Sequence, residues 1–102
     1  MGKFLIEYSN DSKQDLIEIK QYIKYNLHQP IIAARFINKI ENEVKKTAIN
    51  PRIYPIIDDE LIGKLKIRKR SIKNYILFYQ IKDDSIKVVR ILYEKRNWRK
   101  IL

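Results

Sequence analysis

Six cations and no acid stand between Lys64 and Lys73: Lys64, Lys66, Arg68, Lys69, Arg70 and Lys73. Arg90, Lys95, Arg96, Arg99 and Lys100 follow, interleaved with Tyr75, Tyr79, Tyr93 and Trp98. Arginine forks hold phosphate oxygens two at a time and aromatic rings stack on unpaired bases, so this inventory could bind RNA or single-stranded DNA. Residues 64–102 hold 13 Lys/Arg against three acids, while residues 1–63 hold nine of each, so one segment carries the whole net charge of +10. A field that lopsided attracts polyphosphate or an acidic protein at long range, with strong salt dependence. The plainer reading, in which Tyr75, Phe78 and Tyr79 fill a core, suits the aromatics. It suits the cations less well, because a merely solvated surface mixes signs. Arg90 stands among Val88, Val89, Ile91 and Leu92, so its charge is either paired or opens onto a groove. A structural ion pair and a phosphate-facing arginine fit the sequence equally.

Counting removes most catalytic constellations. His28 is the only histidine and Cys is absent, which excludes disulfides, thiol nucleophiles and two-His metal sites, and leaves Ser-His-Asp chemistry hanging on one turn residue. With Gly2 and Gly63 as the only glycines, a glycine-rich phosphate loop is excluded too. The carboxylates of Asp58, Asp59 and Glu60 are adjacent and diverge, whereas hard cations need convergent oxygens. No metal and no cofactor is expected.

These residues must be positioned by few elements, because 102 residues suffice for a single domain with one modest core. Residues 3–8 read as a short strand. Ser12 with Asp15 resembles a helix cap, and Leu16, Ile19, Ile23 and Leu27 then repeat at helical spacing toward His28. Pro30 suits the first turn of a second helix, whose stripe is Ala33, Ile37, Ile40, Val44 and Ala48 and whose stop is Asn50-Pro51. So short a connection makes the helices antiparallel. A loop over 51–64 follows, and the period then changes to two. Leu65 and Ile67 alternate with Lys66, Arg68 and Arg70, which predicts a strand with three cations on one face. Tyr75 to Ile81 reads as a central strand covered on both faces, Lys82 to Ser85 as a hairpin tip, and Ile86 to Tyr93 as the return strand. The expectation is an α+β domain over 1–102: a strand, a two-helix antiparallel hairpin, then a three-strand antiparallel meander packed against the helices. Phe4-Leu5-Ile6 is broken at once by Glu7, so neither a leader's apolar core nor a membrane span is expected, and a cytoplasmic protein is.

With its elements in this order the chain resembles the RelE/ParE superfamily of bacterial toxins, the toxic halves of type II toxin–antitoxin modules. The resemblance is carried by Asn74-Tyr75-Ile76-Leu77-Phe78-Tyr79 and by Val88-Val89-Arg90-Ile91-Leu92-Tyr93-Glu94-Lys95-Arg96-Asn97-Trp98, with the N-terminal half matching in pattern. It implies a cognate antitoxin bound in a hetero-oligomer. It also implies one of two targets. The RelE-like branch cleaves messenger RNA on the ribosome; on that branch Arg68 and Arg96 would be the catalytic cations, and Lys66 the counterpart of a basic strand residue. That branch typically also has a Tyr near the C-terminus, where this chain has Ile101-Leu102, and a missing proton shuttle costs roughly 10²–10⁴ in rate. The ParE-like branch, associated with poisoning DNA gyrase, resembles this chain in its ending, an Arg-Ile-Leu-aromatic strand followed by a basic residue, Asn and a terminal Leu. The ParE-like reading is favoured, with the ribonuclease and a non-toxic basic nucleic-acid-binding module as alternatives. The target-binding set is then Lys64, Lys66, Arg68, Lys69, Arg70, Lys73, Arg90, Tyr93, Lys95, Arg96, Trp98 and Arg99. If Lys66, Arg68 and Arg70 share a solvated strand face, replacing all three by Glu abolishes activity and leaves the fold standing. An unfolded triple variant would mean that these cations are structural.

Overall fold

A computed structural model describes residues 4–102, so Lys3 of the expected first strand lies outside the described residues. In chain order the elements are β1 (Leu5–Tyr8), α1 (Asn10–Gln21), a π-helical turn (Tyr22–Asn26), α2 (Pro30–Ile49), β2 (Arg68–Ile72), β3 (Tyr75–Lys82), β4 (Ser85–Tyr93) and a last helical turn α3 (Trp98–Ile101). The strand order is β1-β4-β3-β2. β2, β3 and β4 form the expected meander, and β1 joins it parallel to β4, placing Leu5 to Tyr8 opposite Ser85 to Val88. No helix among the described residues is long and apolar enough to cross a membrane.

The helix hairpin forms where the apolar spacing puts it, but α1 starts earlier than Ser12. Ser9 is the cap. Its hydroxyl oxygen accepts from the Ser12 amide at 3.0 Å and its own O–H donates to the Val89 carbonyl at 2.7 Å, while the Ser12 hydroxyl donates back to the Ser9 carbonyl at 2.8 Å. A Ser-x-x-Ser pair thus fills the capping role expected of Ser12 and Asp15, and Asp15 is released for another task. α1 passes through the π-helical turn to His28, which takes a left-handed φ of 54°, and Pro30 opens α2.

Two apolar layers hold the sheet. On the helix side Ile19, Ile40, Val44, Leu77, Tyr79, Ile86, Val88 and Ile91 are buried together. On the other side Ile57, Ile62, Ile67, Ile76, Phe78, Leu92 and Trp98 form a second cluster under the loop and α3. β3 is covered on both faces, as its unbroken apolar run requires. The loop after α2 also guards the sheet edge, since the Ile57 amide donates to the Ile67 carbonyl at 2.8 Å and the Lys69 amide to the Pro55 carbonyl at 3.1 Å.

The basic strand is shorter than its alternation suggests. Gly63–Leu65 make a 3₁₀ turn, Lys66 closes it at a left-handed φ of 56°, and Gln80 donates to the Leu65 carbonyl at 2.8 Å. Leu65 is therefore exposed rather than core, and Lys66 is not on the strand. Ile67 alone of the two apolar residues is buried.

Tyr79 ties the end of α2 to the sheet. Its side chain is fully buried and its hydroxyl donates to the Pro51 carbonyl at 2.6 Å. Burial raises the phenol from 10.0 to about 12, with Tyr54 adding to the shift and Arg68 and Arg70 opposing it. The native state thus favours the neutral form; the stabilisation is complete below the unfolded value of 10.0 and is lost as pH rises toward about 12. Tyr79→Phe should lower stability at neutral pH by about 1 kcal/mol, because the Pro51 carbonyl loses its donor, and should flatten the alkaline fall of stability. Denaturant unfolding across that range checks the second effect. Tyrosine ultraviolet titration in which all seven phenols ionise near the ordinary value would contradict it.

Candidate functional site

Arg90 is an ion-paired arginine. Its Nε and Nη2 donate to the two oxygens of Asp15, each at 2.8 Å, and the Ile91 amide donates to Asp15 Oδ2 at 2.9 Å. Asp15 is 4% exposed. The Asp15 hydrogen bond raises the Arg90 guanidinium further above its ordinary range against the opposing effect of burial, and the charges of Asp15, Asp11 and Glu18 add to it. Of the two sequence readings of Arg90, the structure takes the ion pair. The signal lay in the spacing of Asp11, Asp15 and Glu18, which share a helix face.

The cations of the basic strand are also turned to internal work. Arg68 Nη1 donates to the carbonyls of Tyr54 at 2.6 Å and Arg52 at 3.1 Å, pinning the loop after α2. Arg70 reaches α2, where Nη1 donates to the Glu43 carbonyl at 2.6 Å and to Thr47 Oγ1 at 2.8 Å, and Nη2 to Glu43 Oε1 at 3.3 Å. Lys46 sits 3.4 Å from Glu43 Oε2, an ion-pair distance, yet that oxygen is buried with no hydrogen-bond partner. Burial would lift the Glu43 carboxyl, but the Lys46 contact and the charges of Arg70, Lys46 and Lys39 outweigh it and hold the carboxyl below its usual range.

At the opposite side of the sheet, Trp98 is buried against Phe78 at 5.3 Å between ring centroids. Lys69 Nζ lies 5.2 Å from the Trp98 ring centre and Arg99 Cζ 4.2 Å. Arg99 also pairs with Asp59 at 3.2 Å. The Asp59 carboxyl is held low, first by the Leu61 and Ile62 amides and then by Arg99. Asp58, Asp59 and Glu60 thus belong to a turn, and no carboxylate or His cluster able to hold a metal occurs among the described residues.

What remains open is a groove of about 620 Å³ between α1, the π-helical turn and the ends of β3 and β4. Tyr22, Ile23, Leu27, Tyr75 and Tyr93 form its apolar wall, and Asp15, Glu18, Asn74 and Arg96 are its polar members. Tyr75 meets Tyr93 edge to face at 5.8 Å; burial, then the neighbouring Tyr22 and Tyr93, raises the Tyr75 phenol. Tyr25, Ile31 and Ile32 continue the exposed apolar surface on the hairpin. Of the sequence candidates only Tyr93 and Arg96 line this groove. Lys64, Lys66, Lys73, Lys95 and Lys100 are exposed at other places, and Trp98 is core. Glu18, Tyr22, Leu27 and Asn74 were missed, although Tyr22, Tyr25, Leu27, Ile31 and Ile32 are more apolar side chains than a hairpin tip can bury.

The backbone holds Arg68 and Arg96 well apart. Arg68 lies opposite Tyr79 and Tyr93 opposite Tyr75, so four residues of β3, about 13 Å, separate the two rows, and Arg96 lies beyond Tyr93.

A helix hairpin laid on a four-stranded sheet is the architecture that the resemblance to the RelE/ParE superfamily implies. The family model for the ParE toxin of type II toxin–antitoxin systems, parDE, matches residues 6–98, and the chain belongs to that family. Among solved structures it is similar to one described as the chromosomal ParDE TA system from P. aeruginosa, with a TM-score of 0.74 and 17% identity over 89% of this chain and 96% of the other. At that identity the likeness shows the shared fold. No curated relative matches the chain.

The expectation that glutamates at 66, 68 and 70 spare the fold does not survive this geometry. Arg70→Glu sets a second carboxylate against partly buried Glu43, and Arg68→Glu leaves two loop carbonyls without donors. Arg70→Ala alone should cost about 1–3 kcal/mol, because the Glu43 carbonyl, Thr47 Oγ1 and Glu43 Oε1 lose their donor, whereas Lys66→Glu should stay within about 0.5 kcal/mol. Thermal melts of the two single variants compare them directly, and an unperturbed melt for Arg70→Ala would contradict the assignment.

Proposed function

We propose that this ParE-family toxin arrests growth by binding DNA gyrase in the bacterial cytoplasm rather than by cutting RNA, and that a cognate antitoxin neutralises it. The observation that carries the reading is the dispersal of Arg68 and Arg96. RNA cleavage needs a deprotonated 2′-hydroxyl, a protonated leaving oxygen and stabilisation of the charged intermediate at one place. Arg68 is committed to two backbone carbonyls. His28 stands in the hairpin turn. Membership of the ParE family supports gyrase as the target.

The groove suits the antitoxin. A segment with apolar anchors would cover Tyr22, Leu27 and Tyr93, and an acid on it would meet Arg96, the helix-in-groove mode of capture. Induction of the chain alone should stop growth and induce the DNA-damage response, with broken DNA in purified gyrase reactions. Primer extension on cellular messenger RNA should show no codon-phased cuts, and Leu102→Tyr should not create them. Codon-phased cuts would move the chain to the ribonuclease reading. Unchanged growth with soluble, folded protein would overturn the toxin reading itself.

A further inference from the structure

Every exposed residue of α2 between Arg35 and Lys46 is Arg, Lys or Asn: Arg35, Asn38, Lys39, Asn42, Lys45 and Lys46. Separations of three, four and seven residues put them on one side of the helix, where they line a shallow concavity together with Glu43. Glu43 is already committed to Arg70 and Lys46, so the crest as a whole is positive. An ordinary solvated helix face interleaves acids with its cations, and Arg35, Lys39 and Lys45 carry no ion pair among the described residues. The net charge of residues 1–63 is zero because acids elsewhere in that segment offset this patch.

We propose that this crest of α2 docks on the phosphate backbone of duplex DNA. At about 1.5 Å per residue, the crest from Arg35 to Lys46 runs about 16 Å, close to five base-pair steps of about 3.4 Å. Lys and Arg neutralise phosphates, and the Asn38 and Asn42 amides donate to phosphate oxygens between them. The crest has no aromatic ring, so it lacks the stacking platform that single-stranded nucleic acid uses. It has no exposed apolar residue between Arg35 and Lys46, so it lacks the anchors at the centre of a protein interface. It shares no lining residue with the groove, so both surfaces can be occupied together. A toxin with gyrase as its target would meet DNA on that target, but the crest's chemistry stands without gyrase.

The test measures fluorescence anisotropy of a labelled DNA duplex of two helical turns against the purified chain over a salt series. Two charge-matched variants are compared, both verified by circular dichroism and melting: Arg35→Gln/Lys39→Gln/Lys45→Gln on the crest, and Lys13→Gln/Lys20→Gln/Lys82→Gln at exposed positions elsewhere. Salt dependence carries a slope of about −0.9 per phosphate contact. The crest variant should therefore lose about two to three from the log–log slope and tenfold or more in affinity at 0.1 M salt, while the control changes less than about threefold. Equal losses in both variants would reduce the effect to undirected net charge and overturn the site. So would the absence of duplex binding by the wild type, or tighter crest-dependent binding of single-stranded DNA, duplex RNA or poly-glutamate. Since the assay contains no gyrase, its failure leaves the gyrase reading standing, and a gyrase assay without inhibition leaves the DNA result standing.

Discussion

One carboxylate holds the two halves of this protein together. β1 is four residues long and pairs with β4 only as far as Val88, so the rest of the β4 edge would present bare backbone groups. Burying such groups without partners is costly, and leaving them open invites pairing with another chain. The chain solves this by turning from strand into helix along that edge. Ser9 covers the carbonyls of Val88 and Val89, the ladder slips by one residue at Val89, and Asp15 takes the Ile91 amide and the Arg90 fork together. Removing one partner of such a buried pair costs about 3–5 kcal/mol, because the other charge is left uncompensated. The direction of α1, and with it the wall of the groove, follows from this contact.

The same logic redistributes the charge. Arg90 finds its acid 75 residues away, Arg70 finds Glu43 at 27 and Arg99 finds Asp59 at 40. Acids of the neutral half thereby neutralise cations of the basic half. The face that looks most like a phosphate grip in the sequence is engaged in holding loops and helices. Among the described residues, cations without an ion pair lie along α1 and the π-helical turn as well as along α2, at the turns before and after β2, on the β3–β4 hairpin and in the C-terminal segment.

How far the sequence could be read depends on the range of the interaction involved. Local periodicity placed α2 from Pro30 to Asn50 and β3 on a run of apolar and aromatic residues, because helix stripes and buried strands write themselves into neighbouring positions. The Leu65 to Arg70 alternation misled because a turn needs only one left-handed residue, and Lys66 carries no glycine to announce it. Ser12 looked like the cap because Asp15 stood three residues on, but Asp15 was reserved for a strand whose position the local pattern does not encode. Trp98, an aromatic among cations, reads as a stacking platform until Phe78 is seen against it. Tyr93 and Arg96, candidates in the sequence, line the groove; Tyr22 and Asn74, which join them only through the fold, were not legible.

Asp15 accepts the Ile91 amide, and amide hydrogen exchange measures that contact in solution residue by residue. The Ile91 amide points off the sheet edge, so nothing but Asp15 protects it. It should exchange only with global unfolding, as slowly as the interior amides of β3, and an Asp15→Asn variant should keep the fold while exposing Ile91 to faster, local exchange. An Ile91 amide that exchanges in wild-type protein as fast as the amides of the Asp58–Leu61 loop would contradict the account.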